Sequence, residues 1–163
     1  MKRILFTVIV SALSMVAVQA QETERVPSKG FAVDSAEGHF HPYEFTRHAV
    51  GDNDVLIETM YASICHSDLH AAWDEHRAHG INGIYPMVPG HEIAGRVVKT
   101  GKNVTKFKVG DLAGVGCMVN SCGHCTFCDM DKEQFCEKAT TFTYNSIDTY
   151  HNNEPVSYTH LTL

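Results

Sequence analysis

Cys122-Gly-His-Cys125-Thr-Phe-Cys128 and Cys136 gather four of the six cysteines into one short segment, with two, two and seven residues between successive thiols. Four thiolates brought to one point repel one another, so such a cluster requires a soft cation or oxidation to disulfides. Zinc takes four sulfurs tetrahedrally, and a Cys-x2-Cys turn supplies two of them from one loop. An iron–sulfur run of the C-x2-C-x2-C-x3-C type would end on a gap of three and a proline; here the gap is seven and Glu137 follows. A nucleic-acid ribbon needs basic residues between its ligands, but Asp129, Asp131 and Glu133 face only Lys132. Disulfides stay open as the alternative, because an even cysteine count behind an export leader suits a stapled scaffold. The crowding of the thiols favours one zinc held by Cys122, Cys125, Cys128 and Cys136.

Two further groups could do chemistry, Cys65-His66-Ser67-Asp68 and Pro89-Gly90-His91-Glu92. Taken singly, Cys65 reads as a core thiol and His91 as a satisfied core histidine. Together they offer sulfur and nitrogen to one metal, with Gly90 permitting close approach and the neighbouring acids supporting the ligands. Cys117 lies outside the lobe spacing and reads as a buried structural thiol. Trp73 reads equally as a pocket wall or as core, and His76 and His79 as solvated. Asn103-Val-Thr105 is a glycosylation tripeptide, although its turn position explains the asparagine without sugar.

The elements that must position these groups are short strands. Phe31–Val33 and Tyr43–His48 read as a first pair, and Val55–Tyr61 as a stronger strand after the Gly51–Asp54 turn. Ser67-Asp68 can cap a helix running through Leu69, Ala72 and Trp73 to about His79-Gly80. Glu92–Val98 is the next strand, with Gly95 marking a place where a side chain would not fit or the strand must bend. A turn at Gly101–Asn103 leads to Phe107–Val109, and Gly110-Asp111 to Leu112–Val115. Many short strands with few helices indicate a mainly β chain, a small barrel or sandwich.

At the N-terminus, Lys2-Arg3, the apolar run Ile4–Val16 and Val18-Gln19-Ala20 have the order of a secretory signal peptide, residues 1–20. Residues 156–163 resemble an in-frame translation of a transposon-end adapter and are set aside. The expected domain is 21–155, with its cysteine lobe at about 117–137. Lys2 and Arg3 leave with the leader and no acid does, so 21–155 carries a formal charge of −8 from 11 Lys+Arg and 19 Asp+Glu. That balance argues against nucleic acid or an anionic membrane as partner. No later stretch is apolar for long enough to span a bilayer. Export implies a periplasmic or secreted protein, and a cytoplasmic one is the alternative.

Cys65-His-Ser-Asp68, Tyr85-Pro-Met-Val-Pro-Gly-His-Glu92, Lys108-Val-Gly-Asp111 and the four-cysteine lobe, in that order, resemble the zinc-dependent alcohol dehydrogenases of the medium-chain dehydrogenase/reductase superfamily. Gly116-Cys117 and Thr143-Tyr-Asn145 add a likeness to the cinnamyl-alcohol-dehydrogenase-like aldehyde reductases, and the resemblance covers about Lys29 to Asp148. It implies a GroES-like β-barrel catalytic domain with a structural-zinc lobe, followed by a Rossmann domain that binds NADP(H) in preference to NAD(H). It further implies two zincs per parent chain, a homodimer, and a small alcohol or aldehyde as substrate. Carried over by position, Cys65 and His91 are catalytic-zinc ligands and Glu92 an occasional third. Ser67 passes the alcohol proton onward through the nicotinamide ribose to His70, the outlet to solvent. His66 lies near the cofactor phosphates, and Asp68 buttresses the zinc ligands.

The chain departs from that pattern in three ways. No cysteine follows Cys136 to serve as the family's further catalytic ligand, no G-x-G-x-x-G follows a strand, and the family's chains are more than twice as long. The expectation is therefore the metal-binding N-terminal part of an alcohol dehydrogenase, inactive by itself. The Asp74–Gly83 stretch is longer than that branch leads one to expect, which obscures any relay acid at Asp74 or Glu75. A non-catalytic zinc-binding module is the alternative function.

Overall fold

A computed structural model describes residues 24–156, so the expected leader and all of the expected tail except Val156 lie outside the described residues. β1 (Val26–Ala32) and β2 (His41–Arg47) form an antiparallel hairpin in continuous register from Val26↔Arg47 to Ala32↔His41. β3 (Val55–Ala62), β4 (Ile93–Thr100) and β5 (Leu112–Val115) form the largest sheet, in that order and antiparallel throughout. β6 (Met118–Asn120) pairs with β7 (Thr141–Phe142) at the base of the cysteine lobe, and β8 (Ser146–Asp148) with β9 (Glu154–Val156). One α-helix among the described residues, α1 (His66–Ala72), completes a mainly β chain. No helix among the described residues is long and apolar enough to cross a membrane.

Two small cores hold these pieces. Val55 and Ile57, two apart on β3, meet Ile93 and Val97 of β4 and Val115 of β5, with Phe107 packed against them. Burying each such aliphatic side chain contributes about 1.5–3 kcal/mol. The alternate residues point outward, where Met60, Tyr61, Ala94 and Leu112 line a shallow apolar concavity. The second core is Val33, Ala71, Ala72 and Met87, with Tyr85 and Tyr144 alongside. Val33 and Met87 exchange backbone hydrogen bonds at 2.9 Å in both directions, which ties the end of the first hairpin to the segment leading into His91.

Gly95 behaves as its sequence position indicates. It lies opposite Thr59, where the β3–β4 register shifts, and a Cβ there would sit 2.2 Å from the Glu58 carbonyl oxygen. The expected helix is shorter than its sequence pattern. α1 stops at Ala72, Asp74 turns left-handed at φ 56°, and only a 3-10 turn follows at Glu75–His79, ending on left-handed Gly80. The Asp74 carboxylate accepts the Gly83 N–H at 2.6 Å, which offsets the backbone strain of that turn. Phe107–Val109 forms no strand.

Candidate metal centres

The ends of β3 and β4 bring two of the sequence groups together. Ser63 N–H donates to the Glu92 carbonyl at 2.9 Å, so the chain leaving β3 runs beside the chain entering β4. Cys65 stands at the N-cap of α1, one turn ahead of Asp68, whose Oδ2 accepts the Cys65 N–H at 2.8 Å. The capping element is thus the Cys65–Asp68 pair, and Ser67, expected to share in the cap, lies inside the helix. The other oxygen of the same carboxylate, Oδ1, lies 3.3 Å from His91 Nδ1. One buried carboxylate therefore holds the backbone of Cys65 and stands beside the ring of His91.

Cys65, His91 and Glu92 each offer a donor atom within 4.8 Å of the others. With Nδ1 turned to Asp68, the imidazole keeps Nε2 for a ligand, the arrangement by which a carboxylate sets the tautomer of a metal-binding histidine. Asp68 Oδ1 is also the one buried side-chain polar atom without a hydrogen-bond partner among the described residues. A cation on Nε2 would make the Nδ1–H a stronger donor to it. The sulfur, imidazole and carboxylate set fits a borderline metal such as zinc.

Ser67 Oγ lies 3.6 Å from Cys65 Sγ. His66 is exposed, with its ring 4.5 Å from that of His70 and edge-on. His70 Nδ1 contacts the Glu75 carboxylate, so Glu75, left unresolved by the sequence, is the acid that meets this histidine. Tyr144 stacks on His91 at 5.5 Å between ring centroids. Its hydroxyl pKa is pushed well above the ordinary tyrosine value, by burial first and then by the Asp68 carboxylate. The sequence named Tyr144 only as part of a motif. Its place beside a histidine far upstream is a tertiary fact.

The four lobe cysteines also converge, with all donor sulfurs within 4.8 Å. Cys125 and Cys128 sulfurs are 3.5 Å apart and those of Cys122 and Cys128 are 3.8 Å apart. Zinc–sulfur bonds of ~2.3 Å give tetrahedral sulfur–sulfur edges of about 3.8 Å, whereas a disulfide requires about 2.05 Å. All six cysteines are free. The lobe is built from 3-10 turns at Cys128–Met130 and Glu133–Phe135, joined through left-handed Asp131. Backbone N–H groups point at the sulfurs, and the one from Cys122 reaches Cys136 Sγ at 3.4 Å. That contact leads in lowering the Cys136 thiol to about 6. At Cys122 the His124 N–H favours the thiolate, but burial and the neighbouring thiols outweigh it and push Cys122 up to about 11. Cys117, expected to be buried, is exposed: its backbone, not its side chain, is engaged, accepting the Thr143 N–H at 3.0 Å.

A third group, His48, Asp54 and His151, had no sequence signal because His151 comes from a segment far downstream of the β2–β3 connection that carries His48 and Asp54. The two imidazoles lie face to face, 4.1 Å apart and 11° from parallel. In-plane lone pairs on parallel rings do not converge on one ion, so this arrangement holds a proton better than a metal. His151 Nδ1 donates to Asp148 Oδ2 at 2.7 Å, and its Nε2 is 3.6 Å from Asp54 Oδ2. Those carboxylates, Asp148 first, raise His151 to about 10. His48 is lowered, chiefly by burial.

Comparison with known proteins fits this geometry. The pattern of the alcohol dehydrogenase GroES-like domain matches residues 51–153. The chain belongs to that family. Among relatives of this GroES-like chain, a probable cinnamyl alcohol dehydrogenase 5 of Oryza sativa subsp. japonica is 52% identical over 119 residues, 73% of this chain and 32% of the relative. The probable formaldehyde dehydrogenase AdhA of Bacillus subtilis (strain 168) is 49% identical over 117 residues, 72% of this chain and 32% of the relative. The crystal structure of CAD from Helicobacter pylori complexed with NADP(H) superposes with a TM-score of 0.78 at 52% identity, covering 86% of this chain and 39% of that one. This GroES-like chain thus spans about a third of the length of the relatives it matches.

Proposed function

We propose that this GroES-like domain is the metal-binding part of a zinc-dependent alcohol dehydrogenase that interconverts primary alcohols and aldehydes with NADP(H). The observation that carries this reading is the convergence of Cys65, His91 and Glu92 around the Asp68 carboxylate, which accepts the Cys65 N–H and stands 3.3 Å from His91 Nδ1, beside a separate four-sulfur lobe. Relatives named for cinnamyl alcohol and formaldehyde support the substrate class, and the NADP(H) complex of the Helicobacter pylori protein supports the cofactor.

Cys65, His91 and Glu92 would hold the catalytic zinc; Cys122, Cys125, Cys128 and Cys136 would hold the structural one. Zinc bound at the first site supplies a Lewis acid that polarises the substrate oxygen. Asp68 keeps the His91 proton on Nδ1 and anchors the start of α1. Ser67, beside Cys65, offers a hydroxyl that can accept the proton of an alcohol as it passes its own onward, and half-exposed His70 with Glu75 is the outlet to water in this relay. His66, exposed at the start of α1, is assigned in this reading to the cofactor phosphates. The lobe fixes the fold of 117–137 and takes no part in the chemistry. Hydride transfer needs the nicotinamide held against the substrate, and a parent dimer with a dinucleotide domain provides that. Export by residues 1–20 and a working domain of 21–155 complete the proposal.

Metal analysis and kinetics on this chain and on its longer parent test the reading. Two zincs per chain are expected here, with no NADPH oxidation by any small aldehyde, and turnover is expected in the parent. Robust NADPH oxidation by the 163-residue chain itself, or a parent that turns over with no metal, overturns it.

A further inference from the structure

Residues 143–145 are clamped from both sides. Thr143 donates its N–H to the Cys117 carbonyl at 3.0 Å and its hydroxyl to the Gly116 carbonyl, next to the end of β5. Asn145, left-handed at φ 51°, accepts the Ile84 N–H on its side-chain oxygen at 2.8 Å. The residue between them cannot shift without breaking one of these anchors. Tyr144 is therefore delivered to a fixed place, with its ring against the core of Val33, Ala71, Ala72 and Met87 and its face on His91.

The stack is 23° from parallel, so it opposes rotation of the imidazole out of its plane and covers a face, not the edge that carries the ring nitrogens. Edge access is what a metal ligand needs. Asp68, through Oδ1, restrains the same ring within its plane from the Nδ1 side at 3.3 Å, and this contact is too long and oblique to act alone. We propose that Tyr144 is a positioning residue for the Cys65–His91–Glu92 site, its ring fixing the plane of His91 and its hydroxyl standing beside Asp68, so that Nε2 is presented toward Cys65 and Glu92. Tyr144 touches neither substrate nor metal in this assignment and acts through His91. The proposal rests on the metal reading of that site, but its tautomer claim can be measured without metal.

The test uses the full 163-residue chain, ¹⁵N-labelled, with Tyr144→Leu and Tyr144→Phe. Long-range ¹H–¹⁵N correlation in the metal-free protein at about pH 8, where an ordinary histidine is neutral, is expected to show His91 protonated on Nδ1 alone. Tyr144→Leu is expected to give a mixture of tautomers. Tyr144→Phe keeps the ring and its packing but loses the hydroxyl beside Asp68, and is expected to fall between wild type and Tyr144→Leu, with cobalt bound several-fold more weakly than in wild type. In cobalt titrations, Tyr144→Leu should weaken the Cys65–His91–Glu92 site about 10–100-fold, the usual effect of removing a group that supports a ligand. The sulfur-to-cobalt bands of the four-cysteine lobe should be unchanged, which also reports that the variant has folded. An unaltered His91 tautomer together with unaltered cobalt affinity in folded Tyr144→Leu overturns the proposal. Should wild type take up cobalt only in the lobe, the metal reading of the first site fails, and the tautomer comparison alone decides whether Tyr144 orients His91. If Tyr144→Leu does not fold, Tyr144→Phe decides: several-fold weaker cobalt binding supports the role of the hydroxyl, and wild-type affinity with a wild-type tautomer refutes it.

Discussion

Gly95→Ala should damage the fold and the Cys65–His91–Glu92 site together. The added methyl carbon would sit 2.2 Å from the Glu58 carbonyl oxygen and 2.6 Å from Ile57 Cγ2, against an ordinary contact of 3.4 Å or more. Relief requires β3 and β4 to part by about 1 Å, because the nearer obstacle is backbone and cannot rotate away. Overpacking of this kind costs about 1–3 kcal/mol, and a backbone obstacle places this case at the upper end. Replacing a strand glycine with alanine returns about 0.5–1 kcal/mol through the unfolded chain. The net loss is about 2 kcal/mol, roughly a thirtyfold fall in the folded-to-unfolded ratio. Urea unfolding of the zinc-loaded chain, followed by circular dichroism, measures it. Gly114→Ala is the control, because its Cβ meets only the Ile93 carbonyl at 3.3 Å and should cost less than about 1 kcal/mol. β3 runs into Ser63 and Cys65 and β4 begins beside Glu92, so cobalt binding at Cys65–His91–Glu92 should weaken while the lobe is spared. Equal midpoints for Gly95→Ala and Gly114→Ala would refute the steric reasoning.

The lobe should bind one zinc through Cys122, Cys125, Cys128 and Cys136, and a strong chelator should loosen the fold; mass spectrometry of unreduced protein showing paired disulfides and no metal contradicts this. His151, raised to about 10 by Asp148 and Asp54, has a folded pKa above its unfolded value of 6.5, so its contribution is complete below about pH 6.5 and is lost as pH rises toward 10. His151→Ala should therefore be less stable than wild type near neutrality and converge with it by about pH 10; a difference that does not shrink between those pH values rules out the charged clasp. In the longer parent, Ser67→Ala should slow turnover about 10²–10⁴-fold with two zincs retained, and Cys65→Ser should abolish it with only the lobe zinc left. Full rate in the first variant, or two zincs in the second, breaks the assignment of those residues. N-terminal sequencing of exported protein should begin at Gln21, and an intact Met1 in the mature protein removes the leader.

Local spacing carried much of this protein's chemistry. The two-two-seven run of the lobe needs no distant partner, since turns within one segment can bring Cys122, Cys125, Cys128 and Cys136 to one point. Gly95 was legible for a similar reason, because a lone glycine in an alternating apolar strand has few explanations other than close backbone approach. Cys65 and His91 were suspect from sequence as motif members, but their meeting depends on the Ser63–Glu92 hydrogen bond between β3 and β4. Periodicity could not place the end of α1, because the hydrogen bond that the Gly83 N–H donates to the Asp74 carboxylate decides it against helix propensity. Cys117 was misjudged because burial of a small thiol depends on which face its neighbours cover. The His48–His151 stack and the Tyr144–His91 stack had no sequence signal at all. Contacts between segments so far apart are selected by the whole packing, and only the tertiary structure states which carboxylate faces which nitrogen.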